Sequence, residues 1–253
     1  MAVVKVSTIW YVEDPKFLAS SADSAQPDHD AAATLAAKLF PDRNVVDVGG
    51  AVLADVRGAG RESVFVGCFP GVTVLAGERF VRPRPSELPG ELIDPLGYGR
   101  TYLVTLAPNR QWGAFALWED GRLRRSFSAT RVHILEDFGL PGAWERAFWA
   151  GKHPVRRASD ELPDPLSLPF DPEEFADAAN REWLGFTHRA ADDAQRAYRL
   201  PLREFRLYPT GEAPTSESAM PEPRGTYAPA PGRIRRNGRA LRSWWQRVNG
   251  AHL

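Results

Sequence analysis

His153 closes an aromatic run, Trp144-Glu145-Arg146-Ala147-Phe148-Trp149-Ala150-Gly151-Lys152-His153, and is followed by Pro154. An imidazole titrates near neutral pH, so a glycine-flexed loop walled by Trp144 and Trp149, with carboxylates at Glu136 and Glu145, could form a pocket in which His153 gives or takes a proton. The same residues also read as a packing plug over a sheet, with His153 a solvated side chain before a proline. Cys68 is the single cysteine. It excludes an internal disulfide and a cysteine-clustered zinc site. It would be a nucleophile only if His133 or His153 came near it in space, and otherwise reads as a half-buried structural thiol. Asp28-His29-Asp30 offers three metal-ligand types in a row, but adjacent residues at a helix start point in different directions, and capping accounts for the aspartates. No metal and no cofactor is expected. Arg122, Arg124 and Arg125, with Arg131 beyond, could contact an anion or a partner, or form a solvated strand face.

Standard catalytic signatures are missing from the sequence. It contains no G-x-x-x-x-G-K-[ST], no H-E-x-x-H and no G-x-S-x-G. Gly58-Ala59-Gly60 lacks the third glycine and the strand-to-helix setting of a dinucleotide loop.

The stronger functional signal lies in the charge distribution. The formal net charge is zero over 253 residues, yet no acidic residue follows Glu222 while seven arginines do. Residues 1–223 therefore carry about −7 and the tail about +7. Within residues 233–253, Arg235, Arg236, Arg239, Arg242 and Arg247 alternate with Ile234, Leu241, Trp244, Trp245 and Val248, which is a basic amphipathic pattern. Such a segment suits a partner groove, an anionic membrane surface or a nucleic-acid backbone with stacking on the indoles. Gly238 weakens a helix there by about 1 kcal/mol. Residues 208–232 hold six prolines among small and polar residues and read as a flexible linker. No window approaches eighteen continuous apolar residues, so no transmembrane segment is expected. The first residues lack the pattern of a signal peptide, and we expect an intracellular, cytoplasmic protein.

The elements that must position these residues lie in 1–207. Residues 2–12 read as a buried strand, 28–40 as a helix capped by Asp28, and 44–48 as the next strand, an opening that could set the first two strands parallel. Two short strands flank Phe69-Pro70-Gly71. Three prolines keep 82–89 out of any strand interior. A strand at 102–107 leads to the hairpin at 112–127, whose Asp120-Gly121 pair fits a type I′ turn. With a two-residue loop, Glu119 faces Arg122, Trp118 faces Leu123, Leu117 faces Arg124, Ala116 faces Arg125 and Phe115 faces Ser126. That register puts Phe127 on the face of Trp112, Ala114, Ala116 and Trp118. The first strand is apolar on both sides and is expected at the centre of the sheet; the arginine-bearing second is expected near a rim. Residues 131–135 add a strand. Asp171-Pro172-Glu173-Glu174 starts a helix running to Leu184, followed by a polar helix at 192–198 and a closing strand at 205–207.

The sequence blocks Gly67-x-Phe69-Pro70-Gly71, Arg84-Pro85-Ser86-Glu87-Leu88-Pro89, Trp118-Glu119-Asp120-Gly121, Phe148-Trp149-Ala150-Gly151-x-His153-Pro154, Leu168-Pro169-Phe170-x-Pro172 and Leu184-Gly185-Phe186 resemble a domain-of-unknown-function family of small actinobacterial proteins. The resemblance spans about residues 1–207 and implies no reaction. The linker and arginine tail depart from the family pattern.

The expected architecture is α+β: a single mixed β-sheet domain with packed helices over 1–207, a Pro-rich linker at 208–232 and a basic amphipathic tail at 233–253. The leading functional expectation is a non-enzymatic binding or adaptor protein with a protein partner. The alternatives are an enzyme or small-ligand binder at the loop ending in His153, and nucleic-acid binding through the tail.

Overall fold

A computed structural model of the chain describes residues 6–13, 26–56, 59–107, 111–155, 165–185 and 199–211. The helix expected at 192–198, most of the linker and the whole basic tail lie outside the described residues. Among the described residues, nine strands form one sheet: β1 (Val6–Val12), β2 (Arg43–Val52), β3 (Ser63–Phe69), β4 (Val72–Ala76), β5 (Arg100–Ala107), β6 (Trp112–Glu119), β7 (Arg122–Thr130), β8 (Ile134–Phe138) and β9 (Pro201–Pro209). Their order is β2-β9-β3-β4-β1-β5-β6-β7-β8, and every neighbouring pair is antiparallel.

The expected mixed sheet is therefore corrected to an antiparallel one. β1 and β2 do point the same way, but β4, β3 and β9 lie between them, so they never pair. The middle of the order is β1 rather than β6. Sequence chemistry explains this position. Ile9 and Tyr11 are buried on one face of β1, and Trp10 and Val12 on the other. A strand apolar on both sides is stable only with both faces covered.

Helices and turns supply that cover. α1 (His29–Leu39) begins at Asp28, whose side chain accepts from the Ala31 N–H at 2.9 Å. Its stripe of Ala31, Ala32, Leu35, Ala36 and Leu39 packs against Ile9, Val64, Val66 and Phe205. Burying Leu35 alone contributes roughly 1.5–3 kcal/mol. The same face carries 3₁₀ turns at Glu78–Phe80, Pro85–Glu87 and Gly90–Leu92, where the prolines exclude strand pairing. On the other face lie the four-residue α2 (Arg146–Trp149) and the longer α3 (Pro172–Leu184). Asp171 caps α3 by accepting from Glu173 N and Glu174 N, and Gly185 ends it in the left-handed conformation. The α3 start sits hard against β6: a Cβ on Gly113 would lie 2.0 Å from the Pro172 carbonyl oxygen. Only glycine permits that approach.

The hairpin of β6 and β7 turns at Asp120 (φ 50°) and Gly121 (φ 72°), as a type I′ turn requires. Its register departs from the expected one after two pairs. Glu119 faces Arg122 and Trp118 faces Leu123, but Leu117 then faces Arg125, leaving Arg124 as the extra residue of a β-bulge. Every side chain beyond it changes face. Phe127 thus pairs with Phe115 instead of joining Trp112, Ala114, Ala116 and Trp118, and the two rings stack at 5.5 Å. The strand expected at 131–135 begins later, as β8 (Ile134–Phe138), and forms one edge of the sheet.

Candidate functional site

The bulge at Arg124 decides the chemistry of the arginine strand. Arg125 turns under α2 and is only 4 % exposed. Its Nε donates to Glu145 Oε1 at 3.0 Å and its Nη2 to Glu145 Oε2 at 2.7 Å, a bidentate pair. Nη1 donates to Asp137 and to the carbonyls of Ser126 and Phe138. Glu145 is fully buried and also accepts from the Gly142 N–H at 2.9 Å. Burial alone would lower the Arg125 pKa, but the hydrogen bonds it donates to Glu145 and Asp137, with their charges, outweigh it and raise it. Arg125 stays charged and its directed donors are occupied. Gly139 closes on this region, since a Cβ there would meet the Arg124 carbonyl oxygen at 2.0 Å.

Arg122, Arg124 and Arg125 do not converge on one anion site. Arg124 leans outward to Glu119, Nε to Oε2 at 3.2 Å, and Arg122 faces Glu119 at the hairpin end. Arg131 contributes its carbonyl to the Leu168 N–H. The expected tail contacts Arg235, Arg236, Arg239, Arg242, Trp244, Trp245 and Arg247 lie outside the described residues.

Of the expected pocket residues, Glu136 is drawn away to the α1 face. It accepts from Ser86 N at 3.1 Å, from Ser86 Oγ at 2.6 Å and from Ser126 Oγ, tying a 3₁₀ turn to the strands. Trp144 and Trp149 pack with Phe115, Phe127, Phe148, Phe170 and Phe175 in one aromatic cluster. His153 stacks on Phe148 at 3.9 Å, and its Nδ1 is 3.6 Å from Glu174 Oε1 at the start of α3. The aromatic loop therefore fills the space over the sheet, and Glu145 faces Arg125 rather than His153.

Cys68 is buried on β3 rather than half-buried, and burial pushes its thiol up to about 12. A neutral, enclosed thiol is a poor nucleophile. Asp28 caps α1, and among the described residues no cluster of three or more His, Cys, Asp or Glu side chains is arranged to hold a metal.

Two features were not singled out from the sequence. One is the outer edge of the sheet, where Val132, Ile134, Leu135, Phe138 and Leu140 are exposed, Phe138 at 52 % and Leu140 at 90 %. The signal was present as an apolar run, but exposure depends on β8 being an edge. The other is an open cleft of about 440 Å³ lined by Arg61, Glu78, Val81, Pro83, Trp112, Thr130 and Leu135. These residues are scattered over 75 positions of sequence, and only strand order brings them together.

The fold defines an α+β domain with three layers, an antiparallel sheet covered on each face by a helix and irregular turns. The chain belongs to a family of unknown function, DUF6928, whose model matches residues 6–205. No curated protein and no solved structure matches it. Among the described residues, no helix is long and apolar enough to cross a membrane.

Proposed function

We propose that the protein is a non-enzymatic binding module that takes up an extended segment of a protein partner along β8, with the arginine tail adding a salt-sensitive contact. The observation that carries this reading is the exposure of Ile134 on one face of β8 and Phe138 on the other, with Leu140 exposed just beyond, on an edge strand that among the described residues pairs with β7 alone. Edge strands are ordinarily guarded by charge. Here both carboxylates of the strand are engaged within the domain, Glu136 by Ser86 and Ser126, Asp137 by Arg125. What remains outward is aliphatic and aromatic. An added strand would gain main-chain hydrogen bonds and place its alternate side chains beside Ile134 on one face and Phe138 on the other. The groups best suited to catalysis support the same reading, because Arg125, Glu145 and His153 each have a structural partner.

Comparing co-purified proteins for the full chain and an Ile134→Lys/Phe138→Lys variant of unchanged melting temperature tests it. A partner captured by the full chain and lost from the variant is the expected result. Retention of every partner by the variant overturns it, and self-association lost in the variant reassigns the edge to a second copy of the chain.

A further inference from the structure

At the end of the sheet where β1, β2, β3 and β6 begin, four arginines gather from three separate stretches. Arg43 opens β2, Arg61 precedes β3, and Arg79 and Arg82 belong to the 3₁₀ turn and its exit. The packing that assembles them is explicit. The Arg79 guanidinium lies over the Phe40 ring at 4.5 Å, and the Arg43 N–H donates to the Phe40 carbonyl at 3.1 Å. Arg82 Nη1 donates to the carbonyls of Arg79 and Val81, each at 2.9 Å. Arg61 lines the cleft beside Glu78 and Val81, next in the chain to Arg79 and Arg82. Among the described residues, none of the four guanidinium groups is paired with a carboxylate.

Like charges held together without counterions repel one another. Burial lowers the pKa of Arg79, and the charges of Arg43, Arg61 and Arg82 lower it further. This crowding occurs in a domain whose residues 1–223 carry about −7 overall, so nothing in the general charge balance produces it. A bound anion would relieve it. The cleft that Arg61 enters has a different far side: Trp112, Val81, Pro83 and Leu135. The Trp112 indole N–H is already given to Ser128 Oγ at 2.9 Å, so its ring presents an apolar wall. A volume of about 440 Å³ falls among small-molecule sites.

We propose that this cleft binds a small phosphorylated compound with an apolar or aromatic portion, its phosphoryl group held at the Arg61 end beside Arg43, Arg79 and Arg82 and its apolar portion lying over Trp112. A long polyanion fits less well, since Glu78 stands in the cleft and the surrounding domain is acidic. The site lies on the α1 face and does not depend on strand addition at β8.

Phenyl phosphate and inorganic phosphate are suitable probes, titrated at low ionic strength into the full chain with the Trp112 indole N–H followed by NMR. Phenyl phosphate is expected to bind about tenfold more tightly than phosphate and to shift the Trp112 signal, the gain coming from the buried ring. An Arg61→Gln variant should weaken both by about tenfold, and an Arg43→Gln variant should weaken both in the same direction. Neither arginine has a side-chain contact needed for folding among those described, and equal melting temperatures verify this. Absence of binding, binding unchanged in both variants, which would trace it to the tail, or equal affinity for the two probes overturns the proposal. So does tighter binding of a single-stranded oligonucleotide with no Trp112 shift.

Discussion

Arg125 and Arg61 are the same residue in opposite circumstances. Arg125 is enclosed by Glu145, Asp137 and two carbonyls, while Arg61 stands in an open cleft with three other arginines near and no carboxylate paired to it among the described residues. Satisfied donors inside a domain specify structure; unsatisfied ones at a cleft are available to a ligand. The difference arises from the strand order and the bulge, and residue type alone would rank the two equally.

The largest effect is expected at the buried Arg125–Glu145 pair. Glu145→Ala leaves the Arg125 charge enclosed with its main partner gone and should cost about 3–5 kcal/mol in denaturant unfolding. Replacing both, as Arg125→Met with Glu145→Leu, should recover most of that loss, because a pair of matched volume no longer strands a charge. If the single change costs no more than a surface substitution, Arg125 does not hold the fold together through Glu145.

Cys68 is a buried group kept neutral, unlike the buried but charged Arg125. The Cys68 thiol rises from 9.0 to about 12 on folding, chiefly through burial. Between those values the unfolded chain releases a proton that the folded chain keeps, so stability is intact below pH 9 and falls as pH rises toward 12. Tyr11, raised by burial and by the Asp94 charge, acts in the same direction. Unfolding measured across this range should show the decline, and Cys68→Ala should flatten part of it. The smallest effect belongs to Arg61. Arg61→Gln should change stability by no more than about 0.5 kcal/mol while altering phosphate binding.

Local chemistry was legible in the sequence and long-range placement was not. Asp28 and Asp171 mark helix starts because capping depends on a few neighbouring groups, and both helices begin where those residues put them. Asp120-Gly121 likewise fixed its turn. Three residues further on, the bulge at Arg124 reversed the facing of Arg125 and Phe127, since it answers to Glu145 and Phe115, which are distant in the chain. β1 was recognisable as a buried strand, but its place at the middle of the sheet depends on hairpins that arrive later. The family resemblance, by contrast, rested on short blocks in order, and the match over 6–205 bears it out. The cleft was the least legible feature, because its walls come from several separate stretches of sequence that only the strand order brings together.

The position of β9 has a consequence for how the protein is made. Among the described residues β2, in the N-terminal third of the chain, has β9 as its one strand partner, and β9 also supplies β3 with its second neighbour. During synthesis β2 must wait until about residue 209 has left the ribosome before it can join the sheet, a closure across more than 150 residues of chain. Contacts of that sequence separation form slowly. A nascent chain stalled before residue 201 would hold a sheet of seven strands with β2 detached, and quality-control machinery would meet it in that form.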